Sequence, residues 1–332
     1  MGQFKYLTNL VDLHLHLGSS STPHTLWELA HEQGIRLPHK DYFKFIDSVT
    51  ISENTNYNHY LSFFHLTELI QSSTDTISRA VHDAISRAYR RADVRTIEIR
   101  FNPMLRNRGG ERDLDKIIFS ALVGMKQACL EYPVKAGIIL MMDRRFTPKQ
   151  NGIIADKAIR FFGEGVVGID LAGPIEKKFR VTDIVGPVRK TKQAGLGVTI
   201  HSGEATGAKE MWEVVTKLEP DRIGHGIHAV DDPKLMKELA KRNITLEVCP
   251  SSNIRTQVVH DWRQMGHILQ KLFAHGVSFC VNSDGPELVG TNVQEEYERL
   301  LERKCITEEQ AKRCLGVARQ ATFVERRKSY GQ

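Results

Sequence analysis

Cysteine is scarce and unpatterned in this chain of 332 residues. There are five (Cys129, Cys249, Cys280, Cys305 and Cys314), an odd number with no C-x-x-C among them. No disulfide framework or thiolate zinc site follows, a reducing compartment is expected, and any metal has to be held by histidine and carboxylate. Long apolar runs are also missing: no stretch approaches the ~20 residues of a membrane span. The opening MGQFKYLTNL has no secretory apolar region, and Tyr6 stands where a myristoylation signal needs Ser or Thr. A cytoplasmic location without a membrane partner is the expectation.

No internal repeat, low-complexity tract or Pro/Ser-rich linker divides the sequence, which argues for one domain over residues 1–332. Charge of one sign does not collect in blocks either. The net charge of +6 comes from short basic clusters (Arg90-Arg91, Arg144-Arg145, Lys177-Lys178, Arg326-Arg327-Lys328) set between acids, with no aromatic-interleaved basic stripe. A nucleic-acid partner is therefore not expected, while a small anionic substrate stays open.

What is present is alternation. Eight short β-rich runs occur at 10–16, 96–103, 135–143, 166–173, 197–204, 222–226, 244–253 and 278–285. Between most of them lie patterns such as LDKIIFSALVGMKQACLEY, with apolar residues at i, i+3 and i+4. Strand–helix alternation predicts a parallel sheet, and eight strands in series favour an α/β (β/α)8 TIM-type barrel over an open doubly wound sheet. Residues 18–95 are too long for one crossover and read as helices inserted over the barrel mouth.

The first run, VDLHLH, carries two imidazoles in what reads as a buried strand. Strict alternation puts Val11, Leu13, Leu15 and Leu17 on one face and Asp12, His14 and His16 on the other. An isolated H-x-H is as readily a hydrogen-bonded core pair as a ligand pair. It does not stand alone, however. His201 and Glu204 end the fifth run, His225 the sixth and Asp284 the eighth, and in a barrel all these ends open on one cavity. Neutral imidazoles with a carboxylate suit one Zn2+ per chain with an open position for water. Glu204, three residues past His201, is placed to move protons, His225 to orient the attacking water, and Asp284 to ligate and accept a proton. The chemistry is metal-assisted hydrolysis.

VDLHLHL, IDLAG, HSGE, RIGHG, LEVCPSSN and NSDGP, in that order, resemble the adenosine deaminase family of the amidohydrolase superfamily. The resemblance spans nearly the whole chain. It implies a single-zinc (β/α)8 barrel that hydrolyses the C6 amino group of an aminopurine. His14, His16, His201 and Asp284 then look like the zinc ligands, and Glu204 like the acid that protonates N1. His225 and Asp284 look like the pair handling the water, and Gly173 like the backbone N–H that meets N3. Two departures concern the substrate. Adenosine-specific members carry an Asp after H-x-H-L and a second Asp after the ligand Asp; here these are Gly18 and Gly285.

Both substrate-anchoring carboxylates are thus gone. The run Gly18, Ser19, Ser20, Ser21, Thr22, just before a helix, offers hydroxyls and free N–H groups that suit an anion, or simply a helix cap. The expected substrate is a 5′-modified or anionic adenosine derivative, with adenosine or adenine itself as the alternative. A catalytically silent metal-binding barrel that serves as a binding or signalling module is the reading from another class. Glu287 is a candidate replacement at N7. Tyr60, Phe63, Phe64 and Leu66 at helical spacing read as ordinary core, with an apolar lid over the base as the alternative, and Arg100 and Arg144 are read as surface ion pairs in preference to anion contacts. Homo-oligomerisation stays open.

Overall fold

A computed structural model of the chain describes residues 6–107 and 111–325; the first five residues and the cluster Arg326–Lys328 lie outside them. Every β-rich run forms a strand: β1 (Leu10–His16), β2 (Val94–Phe101), β3 (Lys135–Asp143), β4 (Val166–Ala172), β5 (Gly197–Ser202), β6 (Arg222–His225), β7 (Thr245–Val248) and β8 (Phe279–Val281). They pair in sequence order, all parallel. β8 returns to β1 through a bridge between Leu15 and Asp284, whose backbones exchange bonds with His14 and His16 (Asp284 N–H to His14 O and His16 N–H to Asp284 O, both 2.8 Å). The barrel is thereby nearly closed, and the closing contact lies within the H-x-H stretch itself. No described helix is long and apolar enough to cross a membrane.

Strict alternation on β1 does not hold. The register against β2 slips between Asp12 and Leu15, so three residues of β1 span what two span on β2. The expected single apolar face is split: Val11 and Leu13 pack with Cys280 and Ala318, whereas Leu15 and Leu17 join the main core. Asp12 turns from the histidines to accept the Ser283 hydroxyl. The bulge separates it from the site.

Between β1 and β2 lie α1 (Pro23–Glu32), α2 (Tyr42–Asp47), α3 (Tyr57–Ile70) and α4 (Thr74–Ala92). The helix α4 packs on β2 and on α5 (Leu114–Glu131), as an outer-ring helix of the barrel does. The helices over the mouth are therefore α1–α3, a narrower insertion than the whole of 18–95. α1 and α2 share a small core of their own with Ile70 and Leu66 of α3. The other face of α3 looks into the mouth.

The barrel interior is charged. Glu98, Arg100, Asp170, Arg222 and Glu247 are all buried there. Arg222 donates to Glu98 and, at 2.6 Å, to Glu247, while Arg100 bridges Asp170 (3.0 Å) and Glu247 (2.9 Å). At the N-terminal end Phe323 seals this interior. Its ring packs on Ile139 and Val167, lies under the Arg222 guanidinium (3.5 Å to the centroid), and occupies the space that a side chain at Gly197 would need. Truncation by Phe323→Ala should cost about 3–5 kcal/mol through the cavity and the exposed cation, read as a shifted urea midpoint at unchanged slope. An unchanged midpoint would mean the tail is not a structural plug.

Candidate active site

The site is built from strand ends at the C-terminal face. His14 and His16 come from β1, His201 from β5 and His225 from β6. Glu204 sits two residues past β5, and Asp284 stands on the turn that closes β8 on β1. His225 and Asp284 hold left-handed backbone conformations (φ 60° and 62°), unfavourable for non-glycine residues. That strain aims both side chains inward. All six line one cavity of about 240 Å³ except His14, which is fully buried behind it.

Tautomers follow from the partners. His14 Nδ1 donates to Glu247 Oε2 at 2.6 Å, and His201 Nδ1 to Asp170 Oδ2 at 2.9 Å. Burial alone would raise both acids. Arg100 and Arg222 around Glu247, and the His201 ring and Arg100 around Asp170, hold each carboxyl down to about 2. With Nδ1 committed, the Nε2 lone pairs point at one another: His16 Nε2 lies 3.3 Å from His14 Nε2 and 3.1 Å from His201 Nε2. Burial first, and then Arg100 and the neighbouring imidazoles, push His14 and His16 well below the ordinary imidazole range, so protons on these two rings do not relieve the crowding. Asp284 Oδ1 stands 3.4 Å from His16 Nε2 and 3.7 Å from His14 Nε2. Three imidazoles converging beside a carboxylate are a donor set for a divalent cation. Cys249 Sγ reaches the same neighbourhood, but it donates to the Glu247 carbonyl and burial pushes the thiol up.

Opposite this cluster, Glu204 Oε2 stands 3.5 Å from His225 Nε2. Burial and the negative charge of Asp284 raise the Glu204 carboxyl well above its ordinary range, which favours the protonated acid. His225 Nδ1 accepts from Asn253 Nδ2 at 3.1 Å, leaving the ring proton on Nε2, towards the cavity. Tyr60 donates its hydroxyl to Asp284 at 3.5 Å, and Tyr57 bonds Glu204 from α3.

Gly173 ends β4 at φ 95° and lines the cavity; a Cβ there would come 2.7 Å from Asp143 Oδ1. Gly18 also lines it. Ser19 and Ser20 do not: both hydroxyls donate to the His16 carbonyl, Ser21 accepts from Gln71, and Thr22 caps α1 by accepting from Thr25 N–H. The serine run is a helix entry and not the cavity wall. Gly285 is likewise off the wall, because a Cβ there would meet Ser19 Oγ at 2.7 Å. Glu287 is tied to Arg87 (2.9 Å) and Arg91 (3.4 Å) away from the cavity, so it is no substitute at N7. Of the lid candidates Tyr60 and Phe64 line the cavity, whereas Leu66 packs in the helical core. Arg100 and Arg144 are buried, paired with Glu247 and Glu210 respectively, and not surface pairs.

Sequence reasoning gave no role to Asp170, Glu247, Asn253 or Tyr57. A signal existed for the first two: each is a lone acid inside an apolar strand run, a costly placement without partners.

The family model for adenosine deaminase matches residues 9–330. An adenosine deaminase of Aliivibrio fischeri is 31% identical over 310 residues, covering 91% of this chain and 90% of the relative. Among solved structures, an amidohydrolase from Burkholderia ambifaria with bound zinc superposes at TM-score 0.83 and 22% identity, covering 96% of this chain and 86% of that one. The N6-mAMP deaminase of Arabidopsis superposes at TM-score 0.83 and 21% identity, covering 96% and 95%.

Glu247→Gln or Asp170→Asn should weaken divalent-cation binding about 10–100-fold by freeing the ring tautomer, measured by competition with a chromophoric chelator. Unchanged affinity in both variants would remove these acids from the metal's support.

Proposed function

Since the chain belongs to the adenosine deaminase family and is a hydrolase acting on C–N bonds in cyclic amidines, we propose that it is a zinc enzyme deaminating an aminopurine nucleoside at C6, releasing ammonia. The observation that carries this reading is the convergence of the His14, His16 and His201 Nε2 atoms beside Asp284, with Glu204 and His225 facing them. The three histidines and Asp284 would hold the ion, which when bound supplies the Lewis acidity that makes water a nucleophile at neutral pH.

The chain's own groups do the rest. Glu204, kept protonated by burial and by Asp284, donates to ring N1 and makes C6 electrophilic. His225, its Nδ1 occupied by Asn253, points an N–H at the attacking oxygen and orients it. Asp284 takes one proton from the water and passes it to the departing amine, and the second, left on the C6 hydroxyl, returns to Glu204 as the carbonyl forms. The Gly173 amide meets N3 on the far edge of the base. Tyr57, Tyr60 and Phe64 on α3 cover the bound base against bulk water.

The substrate we propose is a 5′-modified or anionic derivative and not plain adenosine. No acid stands at position 18 or 285, and a missing hydrogen-bond partner typically costs about 1–3 kcal/mol.

Ammonia release from a panel of aminopurines tests the reaction class. Stripping the metal with a chelator should abolish turnover, and added zinc should restore it. Glu204→Gln should lower kcat by about 10²–10⁴-fold with zinc content unchanged by elemental analysis. A panel with no substrate, or full activity in the Glu204→Gln variant, would refute the proposal.

A further inference from the structure

With the serine run turned away, the cavity wall formed by the ends of β2 and β3 is left facing the part of the substrate remote from C6. The catalytic groups come from β1, β5, β6 and β8, and C6 and N9 lie at opposite ends of a purine. The sugar of a base docked at the catalytic groups therefore falls against this β2–β3 wall. Resting on the aminopurine reading above, we infer that Asn102 and Arg106, on the turn after β2, form an anion subsite for a 5′-phosphate or 5′-carboxylate of the substrate.

Asn102 supplies an independent sign of a ligand. Its Oδ1 accepts the Met104 N–H at 2.8 Å, capping the 3-10 turn Pro103–Leu105 and fixing the amide plane. Its Nδ2, on a side chain 2% exposed, finds no acceptor among the described residues, yet Asn102 lines the cavity. A buried donor left open is costly, and an oxygen of a bound molecule satisfies it.

Arg106 ends the same turn, also buried and also lining the cavity. Its Nη2 lies 3.3 Å from where a Cβ of Gly18 would be, and Phe64 closes on the same point at 2.8 Å. The absence of a side chain at 18 is thus what lets a guanidinium and an aromatic edge stand at the end of β1. Where an acid at that position would favour hydroxyl groups, this wall presents a cation.

The neighbouring charges narrow the assignment. Arg145 is held bidentately by Asp143 (2.9 and 2.6 Å), and Arg100 by Asp170 and Glu247, so both of these guanidinium groups are committed to carboxylates at short range. Glu68 on α3 approaches Arg106 Nη2 to 3.7 Å, a long contact that a phosphate or carboxylate oxygen replaces with a shorter charge-assisted bond.

Steady-state kinetics on the zinc-loaded full chain test this with adenosine, adenosine 5′-monophosphate and the 5′-carboxylate of adenosine. The intact enzyme should favour an anionic substrate about tenfold or more in kcat/KM, the equivalent of one charge-assisted bond. The better of the two anions tells phosphate from carboxylate. Arg106→Gln should raise KM for that anion about tenfold with kcat and adenosine turnover little changed; Asn102→Ala should do so more weakly, and Arg106→Lys should recover part of the loss. Preference for adenosine, or KM rising equally for all three, overturns the subsite. If Arg106→Gln does not fold, calorimetry on the intact protein decides: inosine 5′-monophosphate should bind about tenfold tighter than inosine, and equal binding refutes the claim. Should no aminopurine be turned over at all, the deaminase reading fails, and calorimetry with adenosine 5′-monophosphate against adenosine still settles the subsite.

Discussion

Everything at the mouth of this barrel depends on two carboxylates beneath it. Glu247 and Asp170 each take the Nδ1 proton of a histidine and thereby turn the opposite nitrogen, lone pair outward, into the cavity. Neither acid could stay ionised in that dry interior alone, because desolvating a lone carboxylate costs several kcal/mol. Arg100 spans both of them, and Arg222 joins Glu247 to Glu98. Two guanidinium groups are shared among three carboxylates, every acid has its donors, and the geometry of the imidazole face is set from below.

The same network ties the two ends of the barrel together. Glu98 accepts the Phe323 N–H and the Thr322 hydroxyl, so the tail that seals the N-terminal end is bonded to the acid that pairs with Arg222, the arginine supporting the His14 carboxylate. At the other end Asp284 closes β8 onto β1 through its backbone while its side chain faces the imidazoles. Barrel closure and the placing of a carboxylate beside the imidazoles meet at that one residue. This gives a physical reason for its left-handed conformation: the turn must satisfy pairing and aim at once.

Local pattern makes much of this readable. The eight strands follow from runs of apolar residues, and the convergence of His14, His16, His201, Glu204, His225 and Asp284 follows from their common place at strand ends. What local pattern does not carry is the partner across the barrel. Arg100 looks like a strand-end surface cation until Asp170 and Glu247 appear on strands 70 and 147 residues away. The slip in register at Asp12–Leu15 is equally invisible, since it arises from pairing and not from the order of side chains. The Ser/Thr run is ambiguous for a different reason: an N-cap and an anion cradle use the same residues, and only the direction of the hydroxyls, spent on His16 and α1, separates them. Asn102 and Arg106 carry no sequence signal, because a turn after a strand has no periodicity to break.

The central claim is that three imidazoles, two of them held by buried acids and all with their Nε2 atoms converging, grip a single ion together with Asp284. X-ray absorption at the zinc edge of the metal-loaded protein tests it most directly. Three imidazole nitrogens, with oxygen completing the shell at about 2.0–2.2 Å, are the expected result. A sulfur scatterer at about 2.3 Å would put Cys249 in the coordination sphere and contradict it, as would a shell with fewer than three imidazoles.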